Sequence, residues 1–302
     1  MSVDVKKITT EGINQKSMQI DKLTTIDALS LINEEDKLVP IAVESAIPQI
    51  AKLVDAITPK MEKGGRLIYL GAGTSGRIGL LDASECPPTY GVSGSTIQGL
   101  LAGGIEAFKM AVEGAEDSME LAVSDLKAIN LTSGDSVVGI AASGRTPYVI
   151  GGIEYAKSIG ALTGCIVNAK ESRLASIVDY PIEAITGSEV ISGSTRMKSG
   201  TAQKLICNML STTIMVKLGH TYGNLMVDLI ASNEKLVARQ INIIMQATSA
   251  SKEEATAALA KYGSVKLSIL AIITGIDDLN KLQQLLNKHN GHLKDAINEV
   301  IK

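Results

Sequence analysis

Short apolar runs alternate with stretches of helical spacing through roughly the first two thirds of the chain; after that only helical spacing remains. The runs Arg66–Leu70, Thr96–Ala102, Ser136–Ala141, Leu162–Val167 and Tyr180–Ile185 predict five strands. Between them, a helix is expected from Ser75 through Ile78, Leu80 and Leu81, ended or kinked by Pro87-Pro88. Helical periodicity also covers Ile105 to about Leu126, and Pro147 suits the first turn of a helix through Ile153 and Ala156. Strands alternating with helices predict βαβ units, and therefore an α/β fold with a mostly parallel five-stranded sheet.

The flanks read differently. Residues 1–25 are polar without clear periodicity and read as an extended arm. Thr25 to Glu62 carries Ile26, Leu29, Ile32, Val39, Ala42, Ala46, Ile50 and Val54, which predicts two helices broken near Glu34–Asp36 and again at Pro59. Gln203–Leu218 and Leu225–Ile244 are expected as apolar helices. From about Thr248 the chain reads as helices only, with breaks at Ser249–Lys252, Gly263, Gly275 and Gly291. The expected organisation is an arm with helices over 1–60, an α/β domain over 61–245 and a small helical unit over 246–302.

Composition narrows the function. A net charge of −3, no Trp and a single Phe give neither the field nor the stacking platforms of a nucleic-acid binder. Cys86, Cys165 and Cys207 are odd in number and scattered, and with His220, His289 and His292 they show no metal-ligand spacing. Met1 to Gln19 lacks the apolar core of a signal peptide, and no apolar run approaches the ~20 residues of a membrane span. The expectation is a cytoplasmic protein with no metal, no nucleic-acid partner and no membrane.

The chemistry-bearing stretch is Leu67–Gly76, a buried strand running into a glycine-rich turn. Gly71, Gly73 and Gly76 match the dinucleotide fingerprint, but that reading also needs a carboxylate closing the second strand, and none stands between Glu85 and Glu106. A second turn of the same kind changes the picture. Thr74-Ser75-Gly76-Arg77 follows the first strand and Ser143-Gly144-Arg145-Thr146 the third. Two hydroxyl-bearing turns at the carboxyl ends of parallel strands suit one small phosphorylated polyol; as an alternative, both are ordinary βα turns with capping serines.

Glu85, and Glu113 with Glu116 in the helix expected there, are candidate general acid and base groups, or simply solvated side chains. Thr195–Thr201 opens the helix expected near Gln203, so Arg196 and Lys198 are candidates for binding a carboxylate or phosphate at its start, or are surface charges. His220 at that helix's end is either a proton shuttle or a residue favoured by the helix dipole.

Several long stretches carry a resemblance: Gly-Ala-Gly-Thr-Ser-Gly-Arg at 71–77, Asp-Ala-Ser-Glu-Cys-Pro-Pro-Thr-Tyr-Gly at 82–91, Ala-Val-Glu-Gly-Ala-Glu-Asp-Ser at 111–118, Ala-Ala-Ser-Gly-Arg-Thr-Pro-Tyr at 141–148, Thr-Arg-Met-Lys-Ser-Gly-Thr-Ala-Gln-Lys at 195–204 and Gly-Asn-Leu-Met-Val-Asp at 223–228. Together they resemble the bacterial N-acetylmuramic acid 6-phosphate etherases of the sugar isomerase (SIS) superfamily. The resemblance implies a three-layer αβα SIS domain and cleavage of the lactyl ether at C3 of a phosphorylated amino sugar, with no cofactor. It implies Glu85 as the acid, Glu116 as the base and Glu113 as a further site carboxylate. It places the phosphate on Ser143, Gly144 and Thr146, assisted by Thr74 and Ser75; Arg196 or Lys198 is our candidate for the lactyl carboxylate.

A sugar-phosphate isomerase and a non-catalytic sugar-phosphate-binding regulator are the alternatives on the same scaffold. A straight helix from Ser75 would put Glu85 about 15 Å from the phosphate turns, at ~1.5 Å per residue. Either that helix breaks early and folds back, or Glu85 serves a site shared across a homodimer; the latter is the expectation.

Overall fold

The computed structural model describes residues 9–110, 112–231 and 233–301. Residues 1–8 of the expected arm, and Ala111 of the helix expected from Ile105, lie outside the described residues. Among those described, two compact units are distinguished: one takes the chain up to Ser84 and Gly94–Ser211, the other Glu85–Ser93 and the chain from Thr212. The second unit thus begins well before the expected boundary at 246 and also takes in a short piece around Glu85.

The first unit opens with short 3₁₀ turns, then α1 (Thr25–Asp36) and α2 (Leu38–Glu62). These separate where expected, but α2 runs on through Pro59 to Glu62. Pro59 stands in the last turn, where only one internal hydrogen bond is lost. There follow β1 (Leu67–Gly71), α3 (Gly73–Tyr90), β2 (Ile97–Leu101), α4 (Glu106–Lys109), α5 (Met119–Ala128), β3 (Ser136–Ile140), α6 (Pro147–Ser158), β4 (Leu162–Val167), α7 (Arg173–Ile177), β5 (Tyr180–Glu183) and α8 (Lys198–Lys217). All five strands are parallel, in the order β2-β1-β3-β4-β5, with Leu67 of β1 beside Ser136 of β3. Order reverses between β1 and β3, which opens a crevice at their carboxyl ends.

The sheet is covered on both faces, as continuous apolar strands require. Ile68 and Leu70 of β1, with Val137 and Cys165, pack on Ala122 and Leu126 of α5 and on Val149 and Ile153 of α6. Tyr69 points the other way: its hydroxyl donates to the Cys207 carbonyl of α8 at 3.3 Å, and a Cβ on Gly79 of α3 would stand 2.8 Å from its own Cβ. Burial pushes the Cys165 thiol up to about 12, and that of Cys207 well above its ordinary value.

Two expected helices are corrected. The periodicity from Ile105 to Leu126 is broken by Gly114, whose φ of +72° is left-handed, and by Ser118, which caps α5 by accepting from Leu121 N–H. Glu113 and Glu116 therefore lie in a loop and its 3₁₀ turn (Ala115–Asp117) rather than inside a helix. In the second unit, the helix expected over Leu225–Ile244 begins as a hairpin, β6 (Thr221–Tyr222) and β7 (Leu225–Met226), turning at Gly223 with φ +57°. Asn233 then caps α9 (Glu234–Thr248). Four helices follow, α10 (Lys252–Tyr262), α11 (Val265–Thr274), α12 (Leu279–Lys288) and α13 (Leu293–Ile301), with left-handed glycines at 263 and 275 closing the first two.

Asp135, at the foot of β3, is 2% exposed and accepts from Arg66 N–H, Arg66 Nε and Nη2, and Thr132 N–H and Oγ1. Burial opposes its charge, but these donors outweigh it and hold its carboxyl below the usual carboxylate range. The stability it contributes is present above the unfolded-state value of about 4 and is lost as pH falls through the lower folded value. We expect Asp135→Asn to cost roughly 2–4 kcal/mol at pH 7 and to flatten the acid limb of stability below about pH 4, measured by urea unfolding across pH.

Candidate active site

The crevice between β1 and β3 holds a cavity of about 430 Å³ in the first unit. Thr74 and Ser75 reach it from the first turn of α3, Ser143 and Thr146 from the β3–α6 turn, and Glu116 from the loop before α5. A neighbouring cavity of about 320 Å³ shares Ala72, Gly73 and Glu116 with it and adds Glu113. Hydroxyls from both expected turns and two of the three expected carboxylates therefore share one edge of the sheet.

The glycines explain how two turns and a loop fit there. A Cβ on Gly71 would stand 2.6 Å from the Gly76 nitrogen, and one on Gly76 would stand 2.5 Å from the Gly71 oxygen. The first turn thus closes on itself, backbone against backbone. Gly144 does not line the cavity; it has φ +62°, and a Cβ there would lie 2.3 Å from Ser172 Oγ. Its N–H donates to the Ala141 carbonyl at 3.0 Å and its own carbonyl accepts from Leu174 N–H at 3.0 Å, which fixes the turn carrying Ser143 and Thr146. Thr146 is the N-cap of α6 yet makes no side-chain capping bond, and Pro147 follows. The first-turn N–H groups that follow Pro147 stand at the positive end of this helix, beside Ser143 and Thr146.

The two Ser-Gly-Arg turns diverge at arginine. Arg77 donates through Nε to the Phe108 carbonyl at 3.1 Å and through Nη2 to that of Ala107 at 2.7 Å, fastening α4 ahead of the Glu113 loop. Arg145 instead lines the larger cavity.

Besides Gly144, and Glu113 of the neighbouring cavity, the expected Glu85, Lys198 and Arg196 do not line the larger cavity. Glu85 is exposed on α3 and belongs to the second unit. The helix that carries it, α3, runs from Gly73 to Tyr90 and is not ended by Pro87-Pro88, where a stop or kink was expected. Lys198 is 2% exposed, with its ammonium 2.8 Å from Glu35 Oε2. The helix start it was expected to offer to an anion is already occupied, since Glu189 accepts from Lys198 N–H and Ser199 N–H at 2.9 Å each. Arg196 is exposed beside Thr195, and only Thr195 of the two lines the cavity. Thr10 and Glu11 also line it without being singled out by the sequence, because no pattern over residues 1–25 connects them to the turns, and so does Asp117, which stood in the quoted 111–118 stretch without a role of its own. In the second unit His220 is engaged structurally: its Nδ1 lies 2.7 Å from Asp228 Oδ2, which also pairs with Lys266 at 2.6 Å.

Residues 49–157 match the family described as the glucokinase regulatory protein N-terminal SIS domain. A phosphoheptose isomerase from Neisseria gonorrhoeae superposes with a TM-score of 0.50 at 14% identity, over 63% of this chain and 98% of its own, a likeness of fold alone. The N-acetylmuramic acid 6-phosphate etherase of Clostridium beijerinckii is 51% identical over 99% of this chain and 98% of its own. N-acetylmuramic acid 6-phosphate etherase 2 of Vibrio parahaemolyticus is 53% identical over 99% of each. Identity at that level over nearly the whole chain means that it belongs to the N-acetylmuramic acid 6-phosphate etherase family.

Proposed function

We propose that this chain cleaves the lactyl ether of N-acetylmuramic acid 6-phosphate, giving N-acetylglucosamine 6-phosphate and D-lactate, as a carbon–oxygen lyase of cell-wall amino sugar recycling. The observation that carries the reading is the meeting of the Ser143–Thr146 turn with Glu116 and Glu113 at one sheet edge, in a chain of this family. The phosphate rests on Ser143, Thr146 and the first turn of α6, with Thr74 and Ser75 at its flank, and Gly144 shaping the turn.

With the sugar open to its aldehyde, the C2 proton is acidic. Glu116 removes it, and the electron pair forms the C2–C3 double bond as the C3–oxygen bond to lactate breaks. Glu85 protonates the departing oxygen. Water then adds at C3 and a proton returns to C2. Every step uses carboxylates and water only.

Glu85 acts, in this reading, from a second copy of the chain. The unbroken α3 supports it, since roughly 15 Å of helix separates Ser75 from Glu85, more than the reach from C6 to C3 of one sugar. Ile26 and Leu29 of α1 and Ile41 and Ile47 of α2 are apolar and 47–70% exposed, a surface suited to a homodimer. No single helix among the described residues is long and apolar enough to cross a membrane; we place the enzyme in the cytoplasm, where phosphorylated sugars are kept.

The test is lactate release from N-acetylmuramic acid 6-phosphate, together with mixing of inactive Glu85→Ala and Ser143→Ala chains. Release of D-lactate and partial recovery of activity in verified heterodimers are expected. Interconversion of hexosamine phosphates without lactate would favour an isomerase, binding without turnover would favour a regulator, and heterodimers without activity would return Glu85 to its own subunit.

A further inference from the structure

Among the twelve residues of α1, Glu35 is the one whose side chain is buried. It is 3% exposed, whereas Ile26 and Leu29 of the same helix face outward. A buried carboxylate is costly unless paired and hydrogen-bonded. Glu35 Oε2 accepts from Lys198 Nζ and from Asn14 Nδ2, each at 2.8 Å, and Oε1 accepts from Lys16 Nζ at 3.0 Å. Lys198 stands in the first turn of α8, whose start is fixed by Glu189. One buried charge therefore ties the arm around Asn14 and Lys16 to the capped start of α8.

Two further bonds hold the same stretch. Ser17 Oγ donates to the Val190 carbonyl at 2.7 Å, and Ser192 Oγ to that of Gly12 at 3.4 Å. Just beyond these ties, Thr10 and Glu11 line the cavity that contains Ser75, Ser143, Thr146 and Glu116. Thr10 is fully buried and its hydroxyl has no hydrogen-bond partner among the described residues. Buried hydroxyls are seldom left unpaired without a reason. Glu11 lies against the glycine at 193, where an added Cβ would stand 3.3 Å from its Oε2.

We infer that this arm is a wall of the substrate site, with Glu11 a specificity-determining residue and Glu35 the positioning residue that holds it there. A carboxylate repels a phosphate, so Glu11 serves the other end of the ligand. It accepts hydrogen bonds from the donors of a hexosamine phosphate, its ring hydroxyls and acetamido N–H. The inference rests on the phosphosugar reading of the cavity.

Glu35 variants risk unfolding, because Lys198 would be left buried and unpaired. The Asn14→Ala/Lys16→Ala double variant releases the arm and keeps that pair. With Glu11→Ala it is titrated calorimetrically with N-acetylglucosamine 6-phosphate and with inorganic phosphate, and assayed for lactate release. Both variants should weaken N-acetylglucosamine 6-phosphate binding and raise KM about tenfold, with kcat within about twofold, phosphate affinity unchanged and a cooperative unfolding transition retained. Undiminished binding of the sugar phosphate overturns the inference. Equal loss for inorganic phosphate does so too, since it would mean a cavity merely disturbed. A wild-type chain that binds the sugar phosphate but releases no lactate defeats the etherase reading alone, and the ratio of the two affinities still decides the arm.

Discussion

Glu116→Gln is expected to reduce lactate release about a thousandfold while leaving the affinity for N-acetylglucosamine 6-phosphate within about threefold of wild type. Glutamine keeps the size and reach of the side chain but cannot take the C2 proton. The carboxylate lines both cavities at the mouth of the crevice, so its loss removes chemistry rather than shape. Exchange of the C2 proton with solvent deuterium in N-acetylglucosamine 6-phosphate gives an independent reading and should vanish in the same variant. Glu113→Gln is the control. It lines only the smaller cavity and should lower turnover far less; a reversed order of effects would transfer the base to Glu113.

Gly144→Ala should destabilise the protein by about 2–5 kcal/mol and abolish phosphosugar binding in whatever fraction still folds. About 1–2 kcal/mol comes from the left-handed backbone, φ +62°. The rest comes from a Cβ placed 2.3 Å from Ser172 Oγ and 2.4 Å from its Cβ, an overlap of the kind that costs about 1–3 kcal/mol in packed interiors. Relief needs Ser172 to move, and its Oγ caps α7 by accepting from Ala175 N–H. Gly187→Ala separates the two effects: φ there is +71° but nothing stands within 4 Å, so only the backbone cost should appear in urea unfolding.

What the sequence revealed and what it hid have physical reasons. Five strands and the two hydroxyl turns were legible because parallel strands buried on both faces leave uninterrupted apolar runs, and because Gly and Ser-Gly-Arg punctuate their ends. The loop carrying Glu113 and Glu116 was hidden under apolar spacing that a single left-handed glycine and a capping serine override. The hairpin at Thr221–Met226 was hidden likewise, although Gly223-Asn224 is a turn signal. Lys198 looked like an anion binder because charge on a helix start is read as exposed. Nothing local announces that Glu35, distant in sequence, buries it. The arm was least legible of all, since its place in the cavity depends on that same long-range ion pair.

The register of the sheet also bears on how the protein comes into being. Strand β1 pairs on one side with a strand that begins only at Ser136, and the serine-bearing turns at Ser75 and Ser143 become neighbours only once that pairing has formed. Parallel contacts between distant segments form slowly, because loop-closure entropy is lost before the contacts repay it, whereas helices form locally and early. Ligand affinity is therefore tied to the β1–β3 pairing and should arrive with it on refolding, rather than growing with the helices around it.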